Sequence, residues 1–145
     1  MFAVPENTVA LPAVTPAAAH PGRIAMEVAR DRARWSSLLR YDPDNRFAAL
    51  VESTEHFQIW LLSWLPGQQT DLHDHGTATG AFTVVSGALA ESVRRPGRPE
   101  LTNLITPGQS RVFGPGYVHL VHNTGPDPAV SIHVYSPQRT HRSLP

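Results

Sequence analysis

Three histidines and one short polar strand hold most of the chemistry available to this sequence. Leu72-His73-Asp74-His75 sets two imidazoles two residues apart. On a strand, residues i and i+2 project to the same face, so His73 and His75 can reach one metal ion together. A His-x-His pair also arises by chance on solvated loops, but this one is framed. Gly67 precedes it and Gly80 and Gly87 follow, marking a strand, the pair and a tight hairpin. Further along, Gly108, Pro115, Gly116, His119 and Asn123 stand in that order around another strand. His119 shares a strand face with Tyr117, Val121 and Asn123. If that strand packs beside the first pair, it brings a third imidazole to the same place.

Three neutral imidazoles suit iron(II), zinc, nickel or copper and leave positions open for other ligands. Three histidines with a water also build a hydrolytic zinc centre, and spacing alone does not separate the metals. The chain has no cysteine. Disulfides, thiolate ligands and a cysteine nucleophile are therefore excluded, and any metal must be held by nitrogen and oxygen. Near the C-terminus, Ser131, His133 and Tyr135 alternate with Ile132 and Val134, so the three polar side chains share one face. Either that face is the wet side of an edge strand, or it is a buried ladder whose members must bond one another. In the second case serine orients histidine, and histidine orients the tyrosine hydroxyl towards the metal.

The elements that position these groups are short. RFAALV, FQIWLLSW, GAFTVVSG, ALAESVR, ELTNLI, SRVFG, YVHLVHN and AVSIHVYS are runs rich in β-branched and aromatic residues, separated by turn pairs such as Pro66-Gly67, Pro96-Gly97 and Pro107-Gly108. Eight such strands suggest an all-β closed barrel or jelly roll. Before them, Ile24, Val28, Trp35, Leu38 and Leu39 fall near helical spacing, which predicts one amphipathic helix from Ile24 to Leu39, ended by the DPDN stretch. Residues 1–22, rich in proline and alanine, read as a flexible arm, and 23–145 as a single domain. The 145 residues suffice for one core, and formal net charge is zero. Nucleic acid and anionic membrane are not implied as partners. No signal-peptide pattern or apolar spanning run is present, so a cytoplasmic protein is expected, as a monomer or weak homo-oligomer.

The two histidine stretches resemble the paired motifs of cupins, Gly-x5-His-x-His with a following Gly, and Gly-x5-Pro-x-Gly-x2-His-x3-Asn. Two departures stand out. Thr79 and Gly80 occupy the place of the usual glutamate ligand, and Gly114 that of the usual proline, with Pro115 one place on. Without a carboxylate ligand the centre keeps a full +2 charge, which favours an anionic donor such as a thiolate. Together with the Ser-x-His-x-Tyr strand, the motifs from Arg46 to Pro137 resemble the cysteine dioxygenase family of thiol dioxygenases. The resemblance implies a cupin fold with an N-terminal helix and non-haem iron(II) on His73, His75 and His119. It implies addition of both atoms of dioxygen to the sulfur of a small thiol, cysteine first among the candidates. 3-Mercaptopropionate or another thiol, or a cupin that binds metal without turnover, are the alternatives.

In the same resemblance Tyr135 sits beside the metal with His133 and Ser131 behind it. Mammalian members carry a cysteine, cross-linked to the tyrosine, where this chain has Gly80; bacterial members resemble it in having glycine. The family grips the substrate carboxylate with an arginine whose place falls near Ala48. Arg46, two residues earlier on the same strand face, is the expected clamp. His20, His56 and His141 are expected to be solvated, His122 to face away from His119, and Trp60 and Trp64 to be core.

Overall fold

Along Ala129–Ser136, Val130, Ile132 and Val134 alternate with Ser131, His133 and Tyr135, and every residue from Ala129 to Tyr135 is buried. A strand buried on both faces needs cover on both sides. The protein, a computed structural model whose described residues are 20–144, provides a helix on one side and a second sheet on the other.

The elements run α1 (Pro21–Arg30), β1 (Phe47–Ser53), β2 (Gln58–Trp64), β3 (His73–Asp74), β4 (Thr79–Ser86), β5 (Leu89–Arg94), β6 (Leu101–Ile105), β7 (Ser110–Phe113), β8 (Val118–His122), β9 (Ala129–Ser136) and β10 (Arg142–Ser143). Two antiparallel five-stranded sheets form, in the orders β1-β2-β9-β4-β7 and β10-β3-β8-β5-β6. Leu62, Trp64, Phe82, Val84 and Ala129 of the first sheet meet Leu89, Ile105 and Val121 of the second in one core. On the first sheet's other face, Ala25 and Val28 of α1 join Trp35, Ile59, Leu61, Ala81, Val130, Ile132 and Val134. This is an all-β jelly roll with one helix laid over β4, β7 and β9.

All eight predicted runs contain strands. The strand expected to carry His73 and His75 is only His73–Asp74, so His75 lies just past it, and the unforeseen β10, also two residues, pairs with it and is too short for any periodicity to register. The helix is shorter than predicted. It begins at Pro21, two residues before the expected domain start at position 23, and the His20 ring accepts the Gly22 N–H at 3.0 Å. Residues 1–19 of the expected arm lie outside the described residues. The helix stops at Arg30, and two 3-10 turns, Arg32–Arg34 and Ser36–Leu38, follow. Packing explains the stop. The Trp35 ring folds back to donate its indole N–H to the Val28 carbonyl at 2.9 Å, and a fully buried aromatic side chain contributes about 1.5–3 kcal/mol. Gly87 makes the β4–β5 hairpin with φ +71, and a Cβ there would meet the Pro128 carbonyl at 2.4 Å.

Candidate metal centre

Strand pairing brings the distant histidines together. In the short β3, His73 stands directly opposite His119 of β8, and facing residues of an antiparallel pair touch through their side chains. His75 follows two residues on, held by the chain turning back at Gly76, whose N–H bonds the Asp74 carboxylate at 2.9 Å. Asp74 is in turn gripped by Arg142 of β10 through two hydrogen bonds of 3.1 and 2.7 Å. All three histidines are buried, and one ring nitrogen from each lies within 4.8 Å of the others.

The second nitrogen of each ring is fixed. Nδ1 of His73 lies 2.8 Å from the Asp71 carbonyl, Nδ1 of His75 lies 2.6 Å from the Thr140 carbonyl, and Nδ1 of His119 lies 2.8 Å from the Glu91 carboxylate. Since these partners only accept, each Nδ1 carries the proton and each Nε2 presents a lone pair. Burial lowers the His73 pKa to about 3 and that of His75 to about 4, which keeps both rings neutral. Nε2 of His75 and Nε2 of His119 then face each other 3.2 Å apart, two acceptors with no proton between them. A shared cation resolves that conflict. Two nitrogens, each about 2.0–2.1 Å from one ion at right to tetrahedral angles, sit about 2.9–3.4 Å apart. The residues present fit a divalent metal.

Glu91 was not nominated by sequence reasoning. It is fully buried on β5 and also accepts from Arg111 Nε at 2.9 Å and from the Tyr117 hydroxyl at 3.1 Å. Burial raises its pKa, but His119 and Arg111 outweigh this and hold it below the usual value. The signal was available: a glutamate alternates with Leu89 and Val93, a charge at a core parity position. The carboxylate missing from the ligand set is thus present one bond further out, on the far nitrogen of His119.

The Ser131–His133–Tyr135 face is not wet. β9 lies between β2 and β4, and all three side chains point into the barrel, nearly free of solvent. Ser131 Oγ lies 2.7 Å from His133 Nε2, and Tyr135 Oη lies 3.4 Å from His133 Nδ1. Trp64 anchors the serine. Its indole N–H donates to Ser131 Oγ at 2.9 Å, and an indole can only donate. The serine proton is then free to go to Nε2; in that arrangement the imidazole proton sits on Nδ1 facing the phenol oxygen, and the Tyr135 proton is left for the cavity. Burial lowers the His133 pKa well below its usual value and raises that of Tyr135. The Tyr135 and His75 rings lie 5.0 Å apart, so the ladder ends beside the histidine cluster. Trp64 is core, as expected, and also a hydrogen-bond donor to this ladder.

The sequence matches the profile of cysteine dioxygenase type I over residues 22–142. The chain belongs to the cysteine dioxygenase type I family. Among curated proteins, a germin-like protein of Oryza sativa (germin-like protein 4-1) is 33% identical over 82 residues, covering 53% of this chain and 32% of that protein. The chain thus spans about a third of that relative's length. A Thermus thermophilus protein of known structure superposes with a TM-score of 0.62 at 27% identity, over 71% of this chain and 93% of its own. Oxalate decarboxylase from Lactobacillus farciminis has a TM-score of 0.64 at 18% identity, over 75% of this chain and 34% of its own, and shows the cupin fold alone.

Against the family pattern, Gly80 is opposite Tyr135 in the β4–β9 pairing. A Cβ there would lie 2.2 Å from the Val134 carbonyl and 2.6 Å from Phe113, whose ring takes the space a side chain would need. Arg46 lies just before β1 and lines the cavity shared by the three histidines, His133 and Tyr135. Arg139 and His141 line it too, and neither was nominated. His141 keeps partial exposure but is not free: its ring stacks on His73 with centroids 4.2 Å apart, and Nε2 bonds Asp71 at 2.8 Å. His20 and His56 are exposed, as expected. His122 falls outside the histidine cluster, its Nδ1 buried without a partner among the described residues. Trp60 is only partly buried and carries the Arg139 guanidinium over its ring.

Proposed function

We propose that the protein is a non-haem iron(II) thiol dioxygenase that converts a small carboxylate-bearing thiol, cysteine or a close relative, to its sulfinate. The observation that carries the reading is a buried phenol, oriented by its own hydrogen-bond ladder, at the edge of a cluster of three neutral imidazoles without a carboxylate. Family membership supports the same chemistry. A hydrolytic zinc centre is disfavoured because no carboxylate lines the cavity, among the described residues, to serve as general base.

His73, His75 and His119 would hold the metal through Nε2. Iron(II), when bound there, supplies open positions for a thiolate and dioxygen and the redox capacity to join them. Both oxygen atoms end on sulfur, which gives up the four electrons that dioxygen takes, so no outside reductant is required. The chain's own work is positioning. Arg46 takes the substrate carboxylate in paired hydrogen bonds. Tyr135 offers its hydroxyl proton to the oxygen or sulfur of the reacting pair, and His133 and Ser131 hold that hydroxyl in one orientation. Phe113, Leu62 and Val121 line the cavity with apolar surface, which limits water and strengthens each polar contact.

An oxygen electrode with iron-loaded protein tests this. Uptake should occur with a thiol acid, need iron(II), and disappear in His119→Ala. Absence of uptake with cysteine, 3-mercaptopropionate, mercaptosuccinate and cysteamine would rule the reading out. Arg46→Ala should raise KM for a thiol acid far more than for cysteamine.

A further inference from the structure

The cavity carries two guanidiniums, not one. Arg46 enters from the start of β1, its Cζ 5.2 Å from the centre of the Trp64 ring. Arg139 enters from the segment after β9, its Cζ 4.8 Å from the centre of the Trp60 ring. Trp60 and Trp64 share one face of β2 four residues apart, about 13 Å along the strand, with Leu62 of that face lining the cavity between. The two guanidiniums therefore border one wall of the cavity, near enough for Arg139 to act on Arg46.

Arg139 is held in place. The Gln58 side chain accepts from the Arg139 backbone N–H at 3.1 Å and from the Trp60 indole at 3.2 Å, tying the arginine to the ring it covers. Among the described residues no carboxylate forms an ion pair with it. The arginines in ion pairs are Arg23, Arg34, Arg94, Arg111 and Arg142. Arg46 bonds only the Gln69 carbonyl, at 3.2 Å. Stacking on an indole occupies a guanidinium's face and leaves its in-plane edge able to meet an anion, although Arg139 also engages the Tyr135 side chain with one of its donors. Burial and the neighbouring Arg139 lower the Arg46 pKa and outweigh Tyr135 and Asp71, which raise it. A thiol with one carboxylate fills one clamp and leaves the other facing a divalent ion.

We propose that the preferred substrate is a small thiol bearing two acidic groups, a mercapto-dicarboxylate, with one carboxylate on Arg46 and the second on Arg139. The proposal rests on the dioxygenase reading for the thiol and on the two guanidiniums for the two acids. Arg139 is the specificity-determining residue.

Calorimetric titration of the iron-loaded protein without oxygen tests it, with mercaptosuccinate, 3-mercaptopropionate, succinate and propionate as probes. Mercaptosuccinate should bind at least about tenfold tighter than 3-mercaptopropionate, and succinate tighter than propionate by a similar factor. Arg139→Gln should shrink both ratios to within about threefold, and Arg139→Lys should recover part of the preference. Equal binding of mono- and dicarboxylates by the native protein, or ratios unmoved in Arg139→Gln, would overturn the proposal. Oxygen uptake separates the two ideas. Turnover of 3-mercaptopropionate without dicarboxylate preference sinks the second clamp alone. Dicarboxylate preference with no uptake from any thiol sinks the dioxygenase reading and keeps the two-anion cavity.

Discussion

Replacing Glu91 with glutamine keeps the side chain's shape and removes its charge, and the consequences can be worked out from its three partners. Glu91 accepts from His119 at 2.8 Å, Arg111 at 2.9 Å and Tyr117 at 3.1 Å. Without the carboxylate, the His119 imidazole loses the anion that raises the basicity of its far nitrogen. Loss of such an outer partner typically costs about 10–100-fold in metal affinity, or about 1.4–2.7 kcal/mol. Arg111 also loses its counter-ion. Breaking a fully buried pair costs about 3–5 kcal/mol, but the Arg111 side chain is 36% exposed, so water compensates and about 1–2 kcal/mol is the expected loss. Anaerobic iron(II) titration against a competing chelator reads the first effect, and urea melts of the metal-free protein read the second. Tyr117→Phe is the control: it removes one hydrogen bond but no charge, and should change metal affinity by less than about threefold. Affinity within twofold of the native protein in Glu91→Gln would refute the argument.

Three further substitutions probe the barrel interior. Trp64→Phe deletes the donor that anchors Ser131; kcat should fall by about tenfold with little change in metal affinity, and an unchanged kcat would show that the indole does not act through Ser131. Gly80→Cys should destabilise the fold by at least about 2 kcal/mol through collision with Val134 and Phe113, whereas a native-like melting temperature would show that Phe113 gives way. His133 is buried neutral, so below its unfolded pKa of about 6.5 only the unfolded chain takes up its proton, and stability falls by about 1.4 kcal/mol per pH unit on that account. Urea melts of His133→Gln between pH 6 and 4 should therefore show a slope shallower by one proton, and an identical slope would mean that His133 is charged in the folded protein.

What the sequence made legible was whatever strand alternation encodes. His73 with His75, and Ser131 with His133 and Tyr135, declared a shared face through a spacing of two, and the polar ladder inside an apolar strand pointed to a buried network. Arg46 fell into the cavity through the same parity argument. The groups that fix the histidines were not legible in that way, because they arrive by closure of distant segments. The Thr140 carbonyl meets His75 and Arg142 grips Asp74 only because β10 folds back along β3. Arg139 and His141 reach the cavity on that same returning segment, where no periodicity announces an element. Glu91 was the avoidable omission, since its parity between Leu89 and Val93 marks it as inward. The helix was overextended because Trp35 has helical spacing in sequence but reaches the core by folding back on Val28.

The central claim is that imidazoles from β3 and β8 share one ion. X-ray absorption on the iron(II)-loaded protein measures this directly. One iron per chain is expected, with an imidazole scattering pattern from three histidines that falls to two in His119→Ala. A pattern that His119→Ala leaves unaltered, or iron that does not bind at one equivalent, would contradict it.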